Sequence, residues 1–208
     1  MSTLLHIDAS PLGDHSVSRK LSAEYARAWL VANPGGTIIT RDLSTGTIPP
    51  VGAAWVQAAY TPAEDRTAEQ RATLALSDAL IAELRTADRY VFGVPMHNFS
   101  VPSTFKLWID QIVRVGETFR YGEQGPVGLV TGKEATFIAS SGSVYGPEAA
   151  SLSLNFVEPY LRVIFGFLGV KDVDFLAAGG AATLLSGGID REQFFKPHLD
   201  AIRARFAA

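Results

Sequence analysis

Arg89-Tyr90-Val91-Phe92-Gly93-Val94-Pro95-Met96-His97-Asn98-Phe99-Ser100-Val101-Pro102-Ser103 holds the pattern that decides the fold. Arg89 to Val94 is a short apolar run of the kind buried on both faces of a parallel sheet. Pro95 ends it, and Ser100 to Ser103 reads as the opening of a helix. Between them stand Met96, His97, Asn98 and Phe99. Open α/β sheets hold their ligands at the carboxyl ends of buried parallel strands. These four residues offer backbone N–H groups, one amide side chain and ring faces. That set suits a flat heteroaromatic ring with a polar edge better than a sugar or a metal. An ordinary strand-to-helix turn is the plain alternative, and the rest of the chain must choose.

Strand and helix patterns alternate outward from this stretch. Leu4 to Ile7 reads as a first strand, followed by a helix over Ser18 to Val31 that stops at Asn33-Pro34-Gly35-Gly36. Thr37 to Thr40 is a β-branched second strand. Residues 67–86 carry the longest helical pattern, and Arg89 to Val94 is the third strand. Pro102 to Val115 predicts a helix, Ala135 to Ser140 a fourth strand, and Leu152 to Leu168 a helix. Val170 to Ala177 predicts a fifth strand and Arg191 to Phe206 the last helix. Five strands alternating with helices predict an α/β protein with a doubly wound five-stranded parallel sheet and helices on both faces. Two segments interrupt the alternation. Residues 45–66 read as an inserted helical excursion, and residues 117–132 as a β-hairpin or ordered loop about Gly122 and Gly125. No repeat or linker is present, so one domain over residues 1–208 is the simplest expectation.

Composition narrows the function classes. The 208 residues are 47% hydrophobic and 19% charged, which fits a core-rich globular chain. Net charge is −3 and no basic cluster exceeds Arg19-Lys20, so no nucleic-acid partner is expected. Without cysteine there is no disulfide, thiolate metal site or cysteine nucleophile. The N-terminal residues lack a signal-peptide pattern. No apolar stretch approaches the roughly 18 residues of a membrane span. A cytoplasmic location without membrane association is the expectation, and no metal site is expected.

Two more loops look chemical. After the first strand come Ser10-Pro11-Leu12-Gly13-Asp14-His15-Ser16-Val17-Ser18. Ser16 and Ser18 stand where a helix begins, and a helix N-terminus attracts anions. Simple N-capping is the alternative. There is no Gly-x-Gly-x-x-Gly fingerprint, and Gly132-Lys133 is not a Walker loop, so one phosphate fits better than a pyrophosphate. The fourth strand ends in Ser140-Ser141-Gly142-Ser143, small residues that let a ligand reach the backbone. In a 2-1-3-4-5 sheet all three loops converge on one crevice. That describes the flavin mononucleotide (FMN) site of a flavodoxin-like fold.

On these residues the chain resembles the FMN-dependent NADH-azoreductases, also called NADH:quinone oxidoreductases of the flavodoxin-like class. The resemblance rests on Ser10, Ser16-Val17-Ser18, Pro95-Met96-His97-Asn98-Phe99, Thr118-Phe119-Arg120-Tyr121, Gly128 to Lys133, Ser140-Ser141-Gly142-Ser143 and Phe165 to Gly169. It implies that Ser10, Ser16, Val17 and Ser18 hold the phosphate and ribityl region of FMN. It implies that Pro95 to Phe99 and Ser140 to Ser143 hold the isoalloxazine. Phe99, Phe119 and Tyr121 are the implied substrate wall, although hairpin packing is another role for the last two. The family often has Tyr at the position of His97 and Ser-Arg-Gly-Gly where this chain has Ser-Ser-Gly-Ser.

The implied activity is hydride transfer from NADH or NADPH through FMN to quinones and azo compounds, by a ping-pong mechanism in a homodimer. The flavin carries the chemistry, so no catalytic side chain is expected. Phe165 and Phe167 are candidates for the dimer interface. His6 reads as a core or sheet-edge residue, His198 as a surface residue, Trp29 and Trp108 as core. Asp110, Arg114 and Glu117 could pair on a helix face, with a solvated face the default. A flavodoxin-type electron carrier is the rival reading, and the modest net charge and the two extra segments favour an enzyme.

Overall fold

The computed structural model describes residues 2–46 and 48–207. In chain order the strands and helices are β1 (Thr3–Asp8), α1 (Val17–Ala32), β2 (Thr37–Asp42), α2 (Ala53–Tyr60), α3 (Ala68–Thr86), β3 (Arg89–Pro95) and α4 (Ser103–Ile112). They continue with β4 (Phe119–Gly122), β5 (Gly125–Gly128), β6 (Glu134–Ser140), α5 (Val157–Leu168), β7 (Asp172–Ala178), α6 (Ala182–Leu185) and α7 (Arg191–Ala204). The main sheet is parallel in the order β2-β1-β3-β6-β7. With the antiparallel pair β4-β5 set apart, that is the expected 2-1-3-4-5 order.

Alternation along each strand divides the core. Leu5, Ile7, Tyr90, Phe92, Val94 and Phe137 face α3, α4 and α5. Leu4, Val91, Ile138 and Leu176 face α1 and α7. Register places Phe92, Phe137 and Phe175 side by side on three neighbouring strands. Their rings stack at 4.7 and 5.1 Å, and Phe165 meets the first two edge-on. Each such ring fully buried is worth roughly 1.5–3 kcal/mol. Trp29 and Trp108 lie in the core as expected.

Local bonding sets the helix ends. Ser16 caps α1 by accepting the N–H of Arg19, and Thr67 forms a reciprocal capping box with Gln70 on α3. The helix expected to reach Val115 stops at Ile112. There the Thr118 hydroxyl donates to the Ile112 carbonyl at 2.6 Å and accepts the Arg114 N–H at 3.0 Å. The helix expected from Leu152 begins at Val157, because the Asn155 side-chain oxygen accepts the N–H groups of Val157 and Glu158. Residues 152–154 form only a 3₁₀ turn. The inserted excursion is α2, held on α3 by Ala58, Ala59 and Leu74. Its Trp55 donates to the buried Gln111 side chain at 2.8 Å.

Two expectations about individual residues change. Arg114 lies inside the protein, only 2% exposed, bonded to Ser77 and paired with Asp78 and Glu117. The pairing expected of Arg114 is found with Glu117, while Asp110 pairs with Lys106 on the solvated face. Phe165 is fully buried in its own core and offers nothing to an interface. Phe167, two residues on, packs half-buried on Phe119.

Candidate functional site

The loops after β1, β3 and β6 leave adjacent carboxyl ends. Asp8 pairs with Gly93, and Pro95 with Ser140. The first loop carries three buried hydroxyls, on Ser10, Ser16 and Ser18. Ser16 Oγ and Ser18 Oγ lie 3.2 Å apart at the start of α1. The first-turn N–H groups of a helix have no intrahelical acceptor. Val17 stands half-buried between the two serines. Capping and anion binding are therefore compatible: Ser16 accepts one N–H, while its neighbours leave donors at the same helix end.

The second loop is a tight turn. His97 and Ser100 exchange both backbone hydrogen bonds, at 2.9 and 3.0 Å. The residues between them, Asn98 and Phe99, have φ of +49° and +71°. Two consecutive left-handed residues match a type I′ turn, which normally asks for Asn or Gly. Phenylalanine in that region is a strained choice, and such strain clusters at ligand sites. The turn's own bonds leave the N–H groups of Asn98 and Phe99 unused, and their side chains are exposed with that of His97. Met96 N–H donates to the Ser140 carbonyl at 2.7 Å, which fastens this loop to the third.

In the third loop Ser140 is buried, Ser141 half-buried, and Gly142 and Ser143 exposed. The Ser141 hydroxyl donates to the Ser143 carbonyl at 2.8 Å. Backbone bonds from Ala181 and Ala182 to Ser141 and Gly142 brace the loop from behind. A cavity of about 970 Å³ is lined by Met96, Ser140, Ser141, Tyr145, Phe156 and His198. His198 is half-buried rather than a plain surface residue, and burial pushes its imidazole below the ordinary value.

Phe119 and Tyr121 do not join these loops within one chain. Helix α5 runs antiparallel to the strands, from Phe156 beside Phe99 down to Leu168. The β4-β5 hairpin packs on its far end: a Cβ on Gly128 would lie 2.2 Å from the Leu168 backbone. The hairpin thus sits at the amino ends of the strands. Phe119 is buried at its root, and Tyr121 is 67% exposed.

Behind the serine loop lies a polar cluster that the sequence reading missed. Period-two alternation sends His6 and Asp8 to the α1 face. His6 Nε2 lies 3.0 Å from Ser22 Oγ and 3.2 Å from Asp8 Oδ2, and Ser22 donates to Asp8 Oδ1 at 2.7 Å. Gly93 makes the space, since a Cβ there would stand 2.3 Å from Asp8 Oδ1. Arg19 completes the cluster with two 2.9 Å bonds to Asp42 on β2 and one of 2.7 Å to the Ser10 carbonyl. The Arg19 hydrogen bond draws the Asp42 carboxyl down to about 2. Alternation in Leu4-Leu5-His6-Ile7-Asp8 was the available signal: two polar residues share one face of an otherwise apolar strand. No group of metal-ligating side chains occurs among the described residues. No described helix is long and apolar enough to cross a membrane.

A doubly wound sheet with hydroxyls and a helix N-terminus after its first strand, and loops fastened to each other after β3 and β6, defines a flavodoxin-like α/β protein. The family model described as "Flavodoxin-like fold" matches residues 2–206. An FMN-dependent NADH:quinone oxidoreductase 3 of Burkholderia lata is 52% identical over 207 residues, all of both chains. An FMN-dependent NADH:quinone oxidoreductase of Acidobacterium capsulatum is 50% identical over 203 residues, 98% of each chain. Among solved structures, an FMN-dependent NADH-azoreductase from Bacillus anthracis in complex with FMN superposes with a TM-score of 0.86. It is 25% identical, over 99% of this chain and 98% of that one. The chain belongs to the FMN-dependent NADH:quinone oxidoreductase family within the flavodoxin-like fold.

Proposed function

We propose that this chain, as one unit over residues 1–208, is an FMN-dependent oxidoreductase. It takes hydride from NADH or NADPH and delivers the electrons to quinones and azo compounds. The observation that carries the reading is the buried Ser16–Ser18 hydroxyl pair beside the strained Asn98–Phe99 turn. A phosphate and a polar-edged ring need those two sets of donors. The residues fit FMN in chemistry as well as placement. Neutral hydroxyls and first-turn N–H groups suit one phosphate dianion. The Asn98 amide and the free N–H groups of the turn suit a ring edge with both donors and acceptors.

Bound FMN supplies the two-electron hydride chemistry that side chains lack. The chain's own work is to orient it. Ser16, Val17 and Ser18 fix one end. Pro95 to Phe99 and Ser140 to Ser143 fix the ring between two braced loops. One crevice serves nicotinamide and acceptor in turn, which predicts ping-pong kinetics. No side chain is assigned a proton transfer.

Assembly as a homodimer belongs to the same proposal. Tyr121 is exposed at the wrong end of its own sheet, so it walls a pocket only in a second copy. Two-fold dimers are the commonest soluble oligomers. Light scattering is expected to give about 45 kDa, twice the 22.3 kDa chain. Steady-state rates with NADH varied at several fixed quinone concentrations should give parallel double-reciprocal lines. Intersecting lines would mean that donor and acceptor bind together, and no turnover at all would leave an electron carrier.

A further inference from the structure

We propose that Arg19 is a positioning residue of the cofactor site, one that shapes the serine loop and does not itself engage the phosphate. The inference rests on the reading that this loop holds the FMN phosphate. Arg19 stands one turn after Ser16 at that helix start, and its backbone N–H bonds the Ser16 hydroxyl at 3.2 Å. A free guanidinium there would be the obvious phosphate ligand. Both terminal nitrogens are taken, and Nε, the nitrogen left without a partner, is buried away from solvent. Nη1 and Nη2 are taken by the two Asp42 oxygens at 2.9 Å each, a planar fork on a planar carboxylate. Nη2 also donates to the Ser10 carbonyl at 2.7 Å and to Ser44 Oγ at 3.3 Å.

Charge leads to the same conclusion. Asp8 Oδ2 lies 3.7 Å from Arg19 Nη1, the nitrogen that also bonds Asp42 Oδ2. Two carboxylates therefore offset one guanidinium before any ligand arrives. Asp8 in turn is held by His6 and Ser22 in the space beside Gly93. The guanidinium is left with one geometric consequence. It ties the Ser10 carbonyl on the β1 side of the loop to Asp42 at the end of β2. That bond sets where the segment from Ser10 to Ser16 leaves the sheet. The phosphate is then bound by neutral donors whose positions Arg19 dictates.

A variant of the partner separates positioning from contact, because the two roles predict opposite signs. FMN and riboflavin dissociation constants would be measured by flavin fluorescence for the wild type, R19Q, R19K, D42N and R19Q/D42N. If Arg19 positions the loop, D42N lets it swing and weakens FMN about tenfold, as R19Q does. Riboflavin, which lacks the phosphate, keeps its affinity and reports that the ring loops are folded. R19K, which keeps the charge but not the fork, falls as far as R19Q. The double variant is no worse than either single one, as expected for two residues acting as a unit. If D42N instead binds FMN as well as the wild type or better, the freed guanidinium reaches the phosphate and the proposal is wrong. Wild-type FMN affinity in R19K overturns it as well, and that arm decides alone should D42N also lose riboflavin. Ser16→Ala/Ser18→Ala, measured alongside, tests the underlying reading: equal loss of both flavins would remove the phosphate loop itself. Loss of FMN alone in that arm with full affinity in D42N would sink only the role of Arg19.

Discussion

The carbonyl of Phe99 accepts the N–H of Phe156 at 3.0 Å. This bond ties a left-handed residue of the β3 turn to the residue just before α5. With the Met96–Ser140 bond on the other side, the turn is held at both ends. A conformation that Phe99 would avoid in isolation is thereby imposed by its neighbours.

That imposition has a measurable cost. Asn98→Val places a β-branched residue at φ of +49°. It should lower unfolding free energy in urea by about 1–2 kcal/mol. Asn98→Gly should leave stability level or slightly higher. It should weaken FMN and riboflavin to the same extent if, as proposed, the amide it removes bonds the ring edge. A glycine variant that loses only FMN would place Asn98 at the phosphate.

Replacing Ser16 and Ser18 together by Ala tests the other end. Each charge-assisted bond to a phosphate is worth roughly 1.5–3 kcal/mol. FMN affinity should fall by one order of magnitude or more in a fluorescence titration, with riboflavin nearly unaffected.

Gly93→Ala should destabilise the protein by about 2–3 kcal/mol, because the new methyl overlaps a buried carboxylate held by two partners. The added Cβ would stand 2.3 Å from Asp8 Oδ1 and 2.9 Å from Ser22 Oγ. Urea midpoints measure this. A variant as stable as the wild type would show that the cluster around Asp8 is loosely built.

His198 makes stability depend on pH near neutrality. Burial lowers its pKa in the folded chain. Between that lowered value and the ordinary value of about 6.5, the unfolded chain carries a proton that the folded chain does not. Stability therefore rises with pH across the window and is lost as pH falls through it. His198→Gln should reduce the drop in melting temperature between pH 7.5 and pH 5; an unchanged drop would assign it to other groups. Asp42 acts further down. Its carboxyl is held at about 2, so its contribution is intact above about 3.8 and fades as pH falls toward 2. Asp42→Asn should flatten that acid limb of the melting curve.

Tyr121→Ala separates the hairpin from the cofactor loops. In a homodimer of the proposed kind it should raise the KM for a quinone severalfold while leaving FMN affinity unchanged. A change in FMN affinity with an unchanged KM would contradict that arrangement.

Much of this protein is set by local pattern. Runs such as Tyr90 to Val94 define buried strands because apolar, β-rich segments of that length can be satisfied in few other ways. Pro95 and the serines at 10, 16 and 18 mark where strands end, since those residues break ladders and cap helices. Hence the strand order and the three carboxyl-end loops were legible, including the turn residues Asn98 and Phe99. The reading failed where contacts depend on which elements become neighbours. Phe165 and Phe167 are equally apolar on one helix, yet only the stacked Phe92 and Phe137 rings make the first a core residue. Arg114 is buried because Ser77 and Asp78 on α3 come to meet it. The hairpin carries the expected aromatic residues, and because it packs on the far end of α5, their substrate-wall role belongs to the proposed dimer and not to the loops of their own chain. The cluster of His6, Asp8, Ser22, Arg19 and Asp42 draws on β1, α1 and β2, with Gly93 of β3 leaving the space. Periodicity says which face a residue occupies; only the packed sheet decides what stands opposite that face.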